Sequence, residues 1–244
     1  QEALELTQVL INKVNDNNGL ITETILTTES KYIKEGNNYF VVSEVQGFDK
    51  NAFYLPVSII DPFGNETTIE YDTYKLFPTK ITNALEEVTE AQYDYRVLKA
   101  CKITDPNMNS QSIRFNTLGL EEALAVSGKD NGEGDSLEYP TISYTYYLNN
   151  WQQHQKPVYV VVRSRMQHND PQSLWLESYV YSSGLGQEAQ TKSTAEDGLA
   201  WVISGETVQQ LGSSPRWLAS GLKVLNNKGL VVKQYEPWFS ASSG

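Results

Sequence analysis

The sequence predicts a mainly β chain: a curved antiparallel sheet of short hairpin repeats with a small N-terminal helical segment. Residues 59–120 repeat nearly the same pattern at a fixed period of 22, which is the mark of a repeat architecture. Apolar and polar residues alternate within each unit, as they do in half-buried strands. Turn-forming residues punctuate each unit at the same offsets. The predicted division is residues 1–34 as a helical lead-in and residues 35–244 as the hairpin-repeat region, read as a piece of a longer protein because Gln1 and not Met comes first.

In chain order, Ala3, Leu6, Leu10 and Val14 recur at helical spacing, with Val9 widening the stripe and Asn18-Gly19 as a stop. Thr22 to Thr28 reads as a second short helix capped by Thr22. Glu35 to Asn38 is a turn, and Tyr39 to Val45 a strand rich in Val and aromatics. Phe53 to Ile60 is the strand that feeds the first repeat.

The first repeat opens with Asp61-Pro62-Phe63-Gly64. Asp bonds the backbone ahead of it, Pro presets φ, and Gly accepts a positive φ. Thr67, Ile69 and Tyr71 then share one sheet face, and Asp72 opens the next turn. The second unit places Asn83, Tyr93 and Asp94 at matching positions. The third places Asp105, Pro106, Phe115 and Asn116. Glu86 and Met108 stand where Gly64 stands, so those turns are expected to use Asn or a different turn type. Tyr71, Tyr93 and Phe115 read as a packed aromatic column.

Beyond Leu120, Ala123 to Val126 continues as a strand, and 128–136 is a polar loop without the ligand spacing of a calcium loop. Thr141 to Leu148, Pro157 to Met166, Leu174 to Tyr181 and Gln187 to Ser193 read as strands. Val208 to Leu211 fits either a helical turn or a frayed strand. Trp217 to Leu225 and Leu230 to Tyr235 form a hairpin around Asn226-Asn227-Lys228-Gly229.

The net charge of −11 argues against non-specific nucleic-acid binding, and no apolar run is long enough to insert in a membrane as a helix. Cys101 is the only cysteine, so no internal disulfide forms; it is expected to point into the sheet as a small apolar group. His168 and Asp170 are the nearest thing to an acid–base pair and read better as a solvated turn. No nucleophile elbow, zinc-binding HExxH or phosphate loop is present. The expectation is a protein without catalysis, cofactor or metal. Tyr144, Tyr146, Trp151, Trp175 and Trp201 fit a core better than a glycan-stacking face.

Tyr71-Asp72 and Tyr93-Asp94, joined to turns such as Asp61-Pro62-Phe63-Gly64-Asn65, resemble the Rhs or YD repeats of bacterial polymorphic toxins. A longer ordered series narrows the match. It runs through Phe53-Tyr54-Leu55-Pro56, Phe115-Asn116-Thr117-Leu118-Gly119, Gly134-Asp135-Ser136-Leu137, Tyr181 to Glu188, Pro215-Arg216-Trp217 and Lys233 to Pro237. In that order it resembles the region after the β-propeller in the B component of tripartite Tc insecticidal toxins and their SpvB-like relatives. The resemblance spans nearly the whole chain. It implies a non-catalytic wall segment of a hollow β-shell that encloses a toxic domain. The implied partners are other segments of the same B component, a C-component-like toxin protein and an A-component-like pore. The implied location is secreted or on the bacterial cell surface. A YD-repeat cell-surface or carbohydrate-binding module is the alternative.

Overall fold

The structure, a computed structural model, describes residues 3–5, 23–36, 38–128, 133–184, 186–204 and 207–243. The chain divides into two compact units, residues 1–93 with 103–107 and residues 94–102 with 108–244. Antiparallel strands dominate both, and two short helical turns complete the fold.

The first unit begins with β1 (Ala3–Glu5), β2 (Tyr32–Glu35) and β3 (Asn38–Val42), which form a three-stranded sheet in the order β1-β3-β2. Apolar spacing predicts a helix starting at Ala3. Instead Ala3–Glu5 pairs with Phe40–Val42, because an available strand edge satisfies backbone groups that local propensity leaves open. The rest of that predicted helix, 6–14, lies outside the described residues. The second predicted helix is a π-helical turn over Ile25–Glu29, with Leu26 buried and Ser30 N–H closing on Ile25 O at 2.9 Å. Its expected cap, Thr22, lies outside the described residues, and Thr24 precedes the turn without a side-chain capping bond.

The predicted strand Tyr39–Val45 is two strands, since β3 ends at Val42 and β4 (Val45–Asp49) starts a different sheet. β4, β5 (Leu55–Ile60), β6 (Glu66–Tyr71), β7 (Pro78–Thr82) and β8 (Val88–Asp94) follow as an antiparallel meander. β5 starts later than predicted. Phe53 and Tyr54 both sit at φ +56° in a turn held by Asp49, whose backbone oxygen accepts Ala52 and Tyr54 N–H. On β6, Thr67, Ile69 and Tyr71 are half-buried while Glu66, Thr68 and Glu70 are exposed, as the alternation predicts. The register runs Ile69↔Ile81↔Thr89 across three strands. No residue of β5–β8 is buried: every side chain is half-buried or exposed.

β9 (Lys99–Thr104) divides between the two units. Cys101 on it is half-buried. The second unit continues with β10 (Ser110–Phe115), β11 (Glu121–Ser127), β12 (Ile142–Tyr147), α1 (Asn150–His154), β13 (Val158–Arg165), β14 (Trp175–Ser182) and β15 (Glu188–Ala195). Then come β16 (Gly198–Ser204), β17 (Thr207–Ser213), β18 (Arg216–Ser220), β19 (Lys223–Leu225), β20 (Val231–Gln234) and β21 (Trp238–Ser240). The sheet order from β10 is β10-β11-β12-β13-β14-β15-β18-β21-β16-β17. Each pair is antiparallel except the single parallel bridge Trp201↔Ser240. Small residues fill the packed positions: Ala123, Ala125, Ala200 and Ala219 are buried with Val161 and Trp217.

Of the two alternatives for Val208 to Leu211, the structure has the strand, in the hairpin β16–β17. Two differences from the expected elements remain. The predicted strand from Trp217 to Leu225 breaks at Gly221, where φ is +76°. That turn sends β19 and β20 off as a separate two-stranded hairpin. Finally, α1 carries no strong helical periodicity in the sequence and was not expected.

Candidate functional site

The repeat positions are hairpin corners, and one side chain builds each corner. In the first unit, Asp61 Oδ1 accepts the N–H groups of Phe63 and Asn65, both at 2.8 Å. Its backbone oxygen accepts Gly64 N–H at 3.0 Å, and its own N–H returns to Asn65 O at 3.0 Å. Pro62 fills the position after it, and Gly64 takes φ +87°. Asn65 Nδ2 also donates to Asp61 Oδ2 at 2.7 Å. That side-chain bond, followed by the Asn65 backbone N–H, holds the Asp61 carboxyl below its ordinary pKa.

Asn83 repeats the same set. Its Oδ1 accepts Leu85 and Glu87 N–H at 2.9 and 3.0 Å, and its backbone bonds Glu86 N–H and Glu87 O. Glu86 takes φ +62° and Met108 φ +68° in the places where Gly64 stands. Of the two expectations for this corner the structure has the Asn turn: Asn83 keeps the hydrogen bonds of Asp61 and a non-glycine residue bears the left-handed conformation, at about 1–2 kcal/mol of steric cost. Met108 bears it after Asp105 and Pro106 in the third repeat.

Asp72, Asp94 and Asn116 open the turns at the other strand ends. Asp72 is buried and its Oδ1 accepts Leu76 N–H at 2.8 Å. In the second unit, Asp94 Oδ1 accepts Arg96 N–H at 2.9 Å, and Asn116 Oδ1 accepts Leu118 and Leu120 N–H at 2.9 and 3.0 Å. Arg96 joins these two corners by donating to Asn116 O at 2.7 Å and to Asp94 Oδ2 at 3.4 Å. The Asn226 corner, far down the chain, repeats the pattern: its Oδ1 accepts Lys228 and Leu230 N–H, and Gly229 takes φ +75°.

The aromatic positions hook neighbouring backbone. Tyr71 Oη donates to Pro56 O at 3.0 Å, and Tyr93 Oη donates to Pro78 O at 2.8 Å. Both prolines sit opposite register shifts, Pro56 against Phe48 and Pro78 against Tyr71. A bulge is where a strand tolerates a residue with no N–H. Phe77 stacks on Tyr93 with centroids 4.5 Å apart and planes 11° apart. Burial, then the Asp72 carboxylate, raises the Tyr93 pKa. In the second unit, Phe115 is buried and has no hydroxyl; Lys99 Nζ instead lies 5.8 Å from its ring centroid. Lys99 stands 22 residues after Phe77, so a cation–π contact occupies the place of a ring stack.

A cluster that sequence reasoning missed lies in the second unit. Asp135, with a side chain 1% exposed, accepts from Asn169 N–H at 2.9 Å, Thr141 Oγ1 at 2.8 Å and His168 Nδ1 at 2.7 Å. Arg165, 4% exposed, places Nε 3.7 Å from Asp135 Oδ1 and lies over the Trp175 ring at 4.8 Å. The partner of His168 is thus Asp135, and Asp170 instead bonds Gln172 N–H within its own turn. Burial alone would raise the Asp135 pKa. The Asn169 N–H, the Thr141 hydroxyl and His168 outweigh it and hold the carboxyl below its ordinary value. The separation of 33 positions between Asp135 and His168 leaves no local spacing to find. The five aromatics were expected in the core, but Trp151 is 57% exposed and Trp201 43%, and they do not form one glycan face either. Trp151 sits on α1, Trp175 lies under Arg165, Trp201 is on β16, and Tyr146 Oη donates to Glu121 O.

Among the described residues, no group of His, Cys, Asp or Glu is placed to hold a metal ion, and no helix is long and apolar enough to cross a membrane. The corner bonds close their own turns, and the Tyr71 and Tyr93 hooks tie neighbouring strands. No family model and no curated protein matches the sequence. Solved structures match it well. A crystal structure of TcdB2-TccC3 covers 98% of this chain with a TM-score of 0.78 at 20% identity, and the chain covers 13% of that chain. A TcdB2-TccC3-Cdc42 structure covers 98% with a TM-score of 0.75 at 17% identity, and the chain covers 16% of it. The Photorhabdus luminescens Tc holotoxin pore, with a TccC3 variant, covers 96% with a TM-score of 0.74 at 18% identity, and the chain covers 15% of it. The ordered motifs and the coordinates agree: this chain carries the β-sheet fold found in structures of Tc toxin complexes, the proteins its repeats resemble.

Proposed function

We propose that this chain is a non-catalytic wall segment of a toxin-enclosing Rhs/YD-repeat β-shell in a Tc-like B component. One observation carries the reading: β5–β8 form a sheet in which no side chain is buried. A compact domain normally closes its core with a second layer. A sheet without one needs neighbours beside it and contents or solvent against its faces, which is how a wall is built. The corners support this, since Phe63 is 60% exposed and Leu85 79% at matching places in the first two corners. Exposed apolar tips at matching places suit contact with further chain.

The repeat positions are then structural. Asp61, Asn83, Asp105, Asp72, Asp94 and Asn116 set the corners. Pro62, Pro106 and Gly64 shape them, and Tyr71, Tyr93 and Phe115 lock adjacent strands. Other segments of the same B component complete the wall, a C-component-like protein supplies the enclosed toxin, and an A-component-like pore receives it. The assembly acts outside the producing bacterium.

The test is reconstitution. The chain is mixed or co-expressed with the segments that flank it in its own gene and run on a sizing column. Co-elution as one stoichiometric particle is expected, with the apolar corner tips protected from solvent. Failure to form a complex under any condition overturns the proposal, as does turnover of a substrate by the isolated chain.

A further inference from the structure

We infer that the second unit holds a binding site for an acidic sugar in the cavity between α1 and the face of β13–β15. The cavity measures about 720 Å³, within the range of small-molecule sites. Its walls are Tyr159, Tyr179 and Tyr181, and two ammonium groups, Lys156 and Lys192, stand at it. No aspartate or glutamate is among its described lining residues. That is unexpected in a chain of net charge −11.

Neither lysine pairs with a carboxylate among the described residues. Lys192 donates one bond, to Ser242 O at 3.1 Å, and an ammonium has two more protons to give. Burial, then the neighbouring charge of Lys156, lowers the Lys192 pKa. Two like charges held near one another without a counter-ion favour a ligand that brings a negative charge. Among the described residues, Gln190 Nε2 is a buried side-chain nitrogen with no acceptor, and Gln190 lines this same cavity.

The remaining chemistry favours a ring with hydroxyls. The tyrosines form a connected aromatic wall, with Tyr159 centroids 6.0 Å from Tyr179 and 5.3 Å from Tyr181. Such faces pack against the C–H side of a sugar ring. Asn150, His154 and Gln190 offer amide and imidazole groups to hydroxyls. An extended peptide recognises an unpaired strand edge. Here β13, β14 and β15 are each paired on both sides, so no edge is on offer.

The test uses the full 244-residue chain at low salt, with isothermal titration and ligand-observed NMR. The probes are N-acetylneuraminic acid, glucuronic acid, N-acetylglucosamine and triglutamate. The expected result is binding of an acidic sugar with Kd of about 1 mM or tighter. N-acetylglucosamine should bind roughly tenfold more weakly, the size of one lost charge-assisted bond. The double variant Lys156→Gln, Lys192→Gln should lose the acidic sugar by a similar factor, and Lys192→Arg should keep it. Absence of acidic-sugar binding overturns the inference, and so does equal affinity for the neutral sugar or for the double variant. Triglutamate binding as tightly as the sugar would make this a peptide site and overturn it too. Should the double variant fail to fold, the acidic-against-neutral comparison in the unmodified chain still decides.

Discussion

Replacing Asp135 by Asn should destabilise the second unit by about 3–4 kcal/mol at neutral pH. The substitution keeps the side-chain volume, so no cavity forms. It removes a carboxylate that accepts Asn169 N–H at 2.9 Å and Thr141 Oγ1 at 2.8 Å with only 1% of its side chain exposed. A hydrogen bond to a buried charge contributes about 1.5–3 kcal/mol, and removing one partner of a buried ion pair costs about 3–5 kcal/mol. Arg165, 4% exposed with Nε 3.7 Å away, is the charge left behind. These contributions overlap and do not simply add. His168 adds little, because its side chain is 60% exposed and water screens it. Urea unfolding followed by tryptophan fluorescence reads the effect, since Trp175 lies 4.8 Å below the Arg165 guanidinium. With a slope of about 2–3 kcal/mol per M, the midpoint should fall by about 1–2 M. The pH dependence has a definite sign. The folded Asp135 pKa lies below its ordinary 3.8, so its contribution is present above that value and is lost as pH falls through the lowered folded pKa. The gap between wild type and Asp135→Asn must therefore close in acid. A neutral-pH effect under about 1 kcal/mol, or a gap that persists in acid, refutes the clamp.

Tyr93→Phe should cost about 1 kcal/mol, because it deletes the 2.8 Å bond to Pro78 O and keeps the stack on Phe77; urea midpoints of Tyr71→Phe and Tyr93→Phe should shift alike. Gly64→Ala should cost about 1 kcal/mol through backbone strain alone, since φ is +87° and a Cβ there meets nothing within 4 Å. Glu86→Gly should do the reverse and raise stability by about 0.5 kcal/mol after the entropy of the unfolded glycine is subtracted, as thermal unfolding would show. Tyr181 should ionise late, at about 12, because burial opposes its phenolate. Its share of stability is complete below the ordinary value of 10 and fades as pH rises through the folded value; an ultraviolet titration with Tyr181→Phe as control checks it.

The repeat was legible because its signals are local. Asp61 finds its partners two to four residues on, so composition and spacing suffice to place the corner. The same holds for Asn83, Asn116 and Asn226. Alternation on β6 placed Thr67, Ile69 and Tyr71 on one face for the same reason. The turn before Glu86 was legible as one that uses Asn, and the side-chain bonds of Asn83 hold the left-handed conformation that glycine usually takes. The hairpin β16–β17 was obscure because its strand Thr207–Ser213 is exposed almost throughout and shows no alternation.

The sequence alone determined the pitch of the hairpins, the residues at their corners and the mainly β class, since each depends on atoms a few bonds apart along the chain. Tertiary structure alone decided that Asp135 meets His168 and Arg165, that β21 slips between β18 and β16, and that two lysines share a tyrosine-walled cavity. Those partners are tens of residues apart, and only the packing of strands brings their charges within reach of one another.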